Sequence, residues 1–133
     1  MTVLVDTNVL LDLVQDDPKW ADWSKQQLDV LSISQPLVIN DVIYAELSIA
    51  YRSIEELEAA LERTALQVDP IPREALFLAG KTFLRYRRGG GPRGSVLPDF
   101  FIGAHAAVSG AVLLTRDARR YRHYFPSVRV ICP

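Results

Sequence analysis

A chain of 133 residues has the length of one ordinary domain, enough to bury a real core. Apolar residues make up 49% and charged residues 23%, the composition of a soluble globular protein, and no apolar run approaches the ~20 residues needed to cross a bilayer. The net charge of -1 hides a partition: residues 1–80 carry 14 Asp and Glu against 5 Lys and Arg, whereas residues 81–133 carry 2 against 10. Such asymmetry points to an acidic site beside a basic surface. The start Met1-Thr2-Val3 lacks the basic region of a signal peptide, so a cytoplasmic location is expected, and the single Cys132 cannot form an internal disulfide.

In chain order, Val3-Leu4-Val5 is an apolar run without polar alternation, the pattern of a parallel strand covered on both faces, and it ends on Asp6. Val9, Leu10, Leu13 and Val14 follow at helical spacing and predict a short helix ending near Gln15-Asp16-Asp17-Pro18. Asp17 with Pro18 behind it then reads as the cap of a second helix running to about Leu31. Pro36-Leu37-Val38-Ile39 is a short buried strand, after which Asn40 or Asp41 can cap a helix carrying Val42, Ile43, Leu47, Ile49 and Ala50. Ser53-Ile54-Glu55-Glu56 is a capping box, opening a helix whose Ile54, Leu57 and Leu61 are expected to face inward. Leu66-Gln67-Val68 suits a strand, and Pro72 opens a helix to about Arg87.

Gly89-Gly90-Gly91-Pro92-Arg93-Gly94 must break that helix as a mobile loop; without a closing Gly-Lys-Ser/Thr it is no phosphate-binding P-loop. Leu97-Pro98-Asp99 starts a helix that Gly110 stops. Ala111 to Thr115 repeats the opening design, an apolar strand with Asp117 just past its end. An arginine-rich turn or short helix and a last strand, Val128-Arg129-Val130-Ile131, complete the chain. Strands alternating with helices predict a parallel α/β sheet in a single domain over residues 1–133, and two strands side by side would bring Asp6 and Asp117 to one rim.

Glu46 shares its helix with Val42, Ile43, Ile49 and Ala50, on or beside the apolar face, where a carboxylate needs a partner, a metal or a route to solvent. Asp99 falls in the first turn of a helix, whose dipole favours its ionised form. Asp6, Glu46, Asp99 and Asp117 together, with no competing histidine or cysteine cluster, suit a hard oxygen-seeking cation such as Mg²⁺ or Mn²⁺. Such ions activate water for attack on phosphate.

These motifs, in this order, resemble those of PIN-domain ribonucleases, and more narrowly the VapC-type toxins of toxin–antitoxin pairs. Asp6-Thr7-Asn8 is similar to the opening motif, Tyr44-Ala45-Glu46-Leu47 to the helical glutamate, Pro98-Asp99-Phe100-Phe101-Ile102-Gly103-Ala104 to the third acid and Thr115-Arg116-Asp117 to the last. The resemblance implies a three-layer α/β/α sandwich with a central, mostly parallel twisted sheet. It also implies that Asp6, Glu46, Asp99 and Asp117 ligate the metal while Thr7, Asn8 and Thr115 orient them. A cognate VapB-like antitoxin and a homodimer are the implied partners. Asn40 stands where such proteins often carry a small hydroxyl residue.

Arg85, Arg87, Arg88 and Arg93, with Arg116, Arg119, Arg120 and Arg122, suit RNA phosphates, while Tyr86, Tyr121 and Tyr124 could stack on bases or pack in the core. His105 reads as a packed or surface histidine, His123 as a minor phosphate contact, and Asp12, Asp16 and Asp17 as helix-surface and turn residues. A receiver-like signalling domain would need an acidic pair after the first strand and a late lysine, and has neither. A housekeeping RNA-processing nuclease and a non-catalytic PIN-like binding module remain as competing expectations.

Overall fold

A computed structural model describes the whole chain except Arg93 and Ser95. Its strands are β1 (Val3–Val5), β2 (Leu37–Ile39), β3 (Gln67–Val68), β4 (Val112–Leu114) and β5 (Val130–Ile131), joined into one sheet of order β3-β2-β1-β4-β5. Every pairing is parallel, so the sheet goes beyond the mostly parallel one expected. Val3, Leu4 and Val5 are 0%, 1% and 0% exposed, which explains their unbroken apolar run: β1 lies at the centre with helices over both faces. The chain builds from β1 out to β3 on one side, then crosses to β4 on the other. The crevice between the carboxyl ends of β1 and β4 is therefore the switch point at which open α/β sheets take their ligands.

Among the described residues the helices are α1 (Thr7–Val14), α2 (Ala21–Ser34), α3 (Asp41–Ser48), α4 (Ile54–Arg63), α5 (Arg73–Arg88), α6 (Leu97–Ser109) and α7 (Arg119–Tyr124). They complete the three-layer α/β/α fold. Asp17 does cap, its carboxylate accepting from the Lys19 and Trp20 N–H groups, but it caps a turn, and regular α-helix begins only at Ala21. Asn40 caps α3 by accepting from the Ile43 N–H at 3.0 Å, and Ser53 caps α4 through the Glu56 N–H at 3.1 Å. The apolar stripe expected across both helices is shorter than its sequence suggests. Leu47, Leu57 and Leu61 are buried, whereas Ile49 and Ile54, expected to face the core, are 87% and 63% exposed because the chain turns between the two helices.

The helices that carry the later motifs are fastened by aromatic rings. Phe100 on α6 packs against Phe83 and Tyr86 of α5 and Tyr124 of α7, with ring centroids 5.3–5.5 Å apart. Gly103 lets α6 press onto Phe125, since a Cβ there would stand 2.4 Å from that ring. Gly110 ends α6 in the left-handed conformation, at φ 64°. The glycine loop is tied back to α5 by the Arg87 Nη1–H to the Gly91 carbonyl and by the Tyr86 hydroxyl to that of Pro92. Among the described residues, no helix is long and apolar enough to cross a membrane.

Candidate active site

β1 and β4 end together, the Asp6 N–H donating to the Leu114 carbonyl at 2.9 Å. Asp6 then caps α1, its Oδ1 accepting from the Thr7 N–H at 2.7 Å. Its Oδ2 accepts from the Thr115 hydroxyl at 2.8 Å, the Tyr121 hydroxyl at 3.0 Å and Asn8 Nδ2 at 3.4 Å. All these donors are neutral. Burial pushes the Asp6 carboxyl up from 3.8 to about 6; the Thr115 and Tyr121 hydrogen bonds pull it back, and the neighbouring charge of Asp99 raises it further.

Asp99 lies half-buried in the first turn of α6, its Oδ2 paired with Arg120 Nη1 and its Oδ1 3.4 Å from the Tyr121 hydroxyl. The helix terminus was expected to favour its ionised form. Burial instead dominates and raises its pKa, against Arg120 and with a smaller push from Asp117. Glu46, half-buried on α3, accepts from the Thr7 hydroxyl at 2.6 Å, so a single residue links it to Asp6. Asp117 is exposed; its N–H donates to the Thr115 hydroxyl and its Oδ1 accepts from the Arg119 N–H. Thr7, Asn8 and Thr115 thus each touch a candidate acid or the segment that carries one.

Tyr121 packs in the core, one of its two expected places, but its part among the acids is what sequence reasoning missed. It is 2% exposed, and its hydroxyl sits between Asp6 and Asp99. Burial and the charges of Asp6, Asp99 and Glu46 hold its ionisation well above the usual range, so it remains a donor at any physiological pH. Its place four residues after Asp117, one turn along the same short segment, is the signal that could have found it.

Among the described residues, no three acid, histidine or cysteine side chains converge as a ready-made coordination set. What the structure does bring together is the field of four acids: Asp6, Asp99 and Glu46 act on one phenol, and Asp117 acts on Asp99. The donors are all oxygens, and burial raises two of the carboxyls, Asp6 and, against the pull of Arg120, Asp99. That chemistry fits a hard divalent cation.

The arginines divide. Arg85, Arg88 and Arg119 are exposed, and Arg122 is exposed with Nη2 3.2 Å from the Cys132 sulfur. Arg87 is turned onto the glycine loop, Arg120 onto Asp99, and Arg116 onto Asp12. Arg93 lies outside the described residues. A cleft of about 390 Å³ beside the acids is lined by Tyr86, Asp117, Arg119, Arg120, His123 and Tyr124. Tyr86 and Tyr121 are core residues, while Tyr124 is half-buried. His105 is packed: burial lowers its pKa, and its Nδ1 stands 3.1 Å from Asn40 Nδ2. Asp12, expected on the helix surface, is 2% exposed.

A parallel sheet with carboxylates past the ends of β1 and β4, and others delivered beside them by α3 and α6, defines an α/β domain built around an acidic crevice. The chain belongs to the PIN domain family, whose description matches residues 3–126. It is similar in fold to VapBC2 of Rickettsia felis, solved with a promoter DNA fragment, at 19% identity and a TM-score of 0.77, covering 100% of this chain and 99% of that one. VapBC of Salmonella typhimurium, also DNA-bound, matches at 23% identity and TM-score 0.71 over 99% and 98% of the two chains. VapBC-1 of nontypeable Haemophilus influenzae matches at 20% and 0.72, again over 99% and 98%. Comparison with curated protein sequences gives no match.

Proposed function

We propose that the protein is a metal-dependent endoribonuclease, the VapC-type toxin of a toxin–antitoxin pair, acting in the cytoplasm as a single PIN domain over residues 1–133. The observation that carries this reading is the buried, under-neutralised Asp6, joined through Tyr121 to Asp99 and through Thr7 to Glu46 at the switch point of the sheet. Asp6, Glu46, Asp99 and Asp117 would hold Mg²⁺ or Mn²⁺. When bound, the cation activates water and stabilises charge at the phosphate under attack. Thr7, Asn8, Thr115 and Tyr121 hold the acids by hydrogen bonds, and their neutral donors leave the negative charge in place. Arg85, Arg88, Arg119 and Arg122 offer exposed charge for RNA phosphates, and Arg119 also lines the cleft beside Asp117. Hydrolysis leaves a 5′-phosphate and a 3′-hydroxyl.

Features of the surface support the proposed partners. An apolar groove between α1, α3 and α4 is lined by Leu10, Leu13, Leu47, Tyr51, Leu57 and Leu61 and would take a segment of a VapB-like antitoxin. The solved relatives are themselves VapBC complexes. Leu76, Phe77 and Leu84, exposed along α5, support pairing of two copies as a homodimer. Induced expression should arrest growth, and Asp99→Asn or Asp6→Asn should abolish the arrest while the fold survives. Arrest that persists in a folded Asp99→Asn protein would overturn the assignment.

A further inference from the structure

Asp12 is buried in the body of α1, and its Oδ2 accepts from the Ser24 hydroxyl of α2 at 2.8 Å. Arg116 Nε lies 2.8 Å from that same oxygen. The Nε–H does not point squarely at the carboxylate, so the contact is an ion pair more than an aligned hydrogen bond. Behind it, the guanidinium carbon stands 5.5 Å from the ring centroid of Trp20, within cation–π range. Arg116 is gripped a second time through its backbone, its N–H donating to Asn8 Oδ1 at 3.1 Å. Asn8 and Asp12 are one helical turn apart on α1 and share a face, so one helix holds both the main chain and the side chain of residue 116.

The two neighbours of Arg116 are residues of the proposed site. Thr115 donates to Asp6, Asn8 donates to both Asp6 and Thr115, and the Asp117 N–H donates back to the Thr115 hydroxyl. We infer that Arg116 is a positioning residue, clamped by Asp12, Ser24 and Trp20, which sets the backbone from which Asp117 reaches the metal and does not contact RNA. The inference rests on the metal-nuclease reading for its consequence, but the clamp itself does not. Asp12 and Ser24 become parts of the same device, although neither faces the acid crevice.

The test uses the full chain with Arg116→Met, Arg116→Lys and Asp12→Asn, and three readouts. Mn²⁺ affinity is taken by titration calorimetry, the salt dependence of binding from a single-stranded oligoribonucleotide without metal, and backbone order from amide hydrogen exchange at Arg116 and Asp117. Arg116→Met and Asp12→Asn should each weaken Mn²⁺ roughly 10–100-fold, the usual effect of losing an outer support of a metal site. They should also speed exchange at both amides and leave the salt slope unchanged, while Arg116→Lys recovers part of the affinity. If Arg116→Met does not fold, Arg116→Lys and Asp12→Asn carry the comparison. A salt slope reduced by about one unit with Mn²⁺ affinity intact would make Arg116 a phosphate contact and overturn the clamp. Lower melting with parent-like affinity and exchange would reduce it to an ordinary stabilising pair, overturning it equally. A parent that binds no Mn²⁺ refutes the nuclease reading; exchange at the two amides then decides the clamp alone.

Discussion

Two carboxylates mark the two ends of one grip on α1, and they are treated differently. Asp6, 5% exposed, meets only N–H and O–H donors, whereas Asp12, 2% exposed, meets a hydroxyl and a guanidinium. Burial of a charge is costly in both places. At Asp12 a cation of the chain answers that cost, and the carboxylate becomes structure. At Asp6 no cation among the described residues does, and the carboxyl is held near 6 in a crevice that opens beside exposed arginines. The difference separates a carboxylate neutralised within the fold from one held only by neutral donors.

The largest test of that contrast removes the cation from the structural end. Arg116→Ala leaves Asp12 buried and unpaired and should cost about 3–5 kcal/mol in chemical denaturation. Asp6→Asn, which takes charge from the other end, should cost about 1 kcal/mol or less near neutral pH without metal. Equal losses would erase the distinction.

A pH series sharpens it further. Asp6 ionises at 3.8 when unfolded and at about 6 when folded, so between those values the folded state binds the extra proton. Its contribution is complete below pH 3.8 and is lost as pH rises through about 6, up to roughly 3 kcal/mol. The stability of the metal-free parent relative to Asp6→Asn should therefore fall across that window and level off above it. A relative stability that climbs with pH there would contradict the under-neutralised carboxyl. Added Mn²⁺ should reverse the deficit by mass action, about 2.7 kcal/mol at a hundredfold excess over its dissociation constant, in the parent and far less in Asp99→Asn.

Much of this was legible beforehand, for a physical reason. Val3 to Val5 and Val112 to Leu114 are buried on both faces, so their sequence announces both the strand and the point where it stops, with Asp6 directly after the first and Asp117 just past the second. Asn40, Ser53, Pro72 and Gly110 mark helix ends by local chemistry that the sequence displays. Asp12 was not legible, because its burial is made by Ser24 on another helix and by an arginine over a hundred residues away. Arg120 looked like part of a basic RNA surface, and Tyr121 like a base-stacking or core ring; α7 packs against α6, buries Tyr121 and turns both onto the acids. Ile49 and Ile54 misled because each sits at a helix end, Ile49 as the C-cap of α3 and Ile54 as the first residue of α4, where helical spacing no longer fixes the face.

The smallest expected effect lies at the α3 end of the site. Asn40→Ser keeps a cap for Ile43 but loses the amide that faces buried His105, and should lower stability by about 1 kcal/mol with metal response unchanged. A loss of metal response would extend the site to Asn40.

The account's central claim is that the acid crevice cleaves RNA with a divalent cation, and the ends of the products test it most directly. Purified parent protein incubated with single-stranded RNA and Mn²⁺ should yield fragments carrying a 5′-phosphate and a 3′-hydroxyl, with no cleavage in chelator or by folded Asp99→Asn. Cleavage that persists in chelator, or that leaves a cyclic phosphate at the 3′ end, would contradict it.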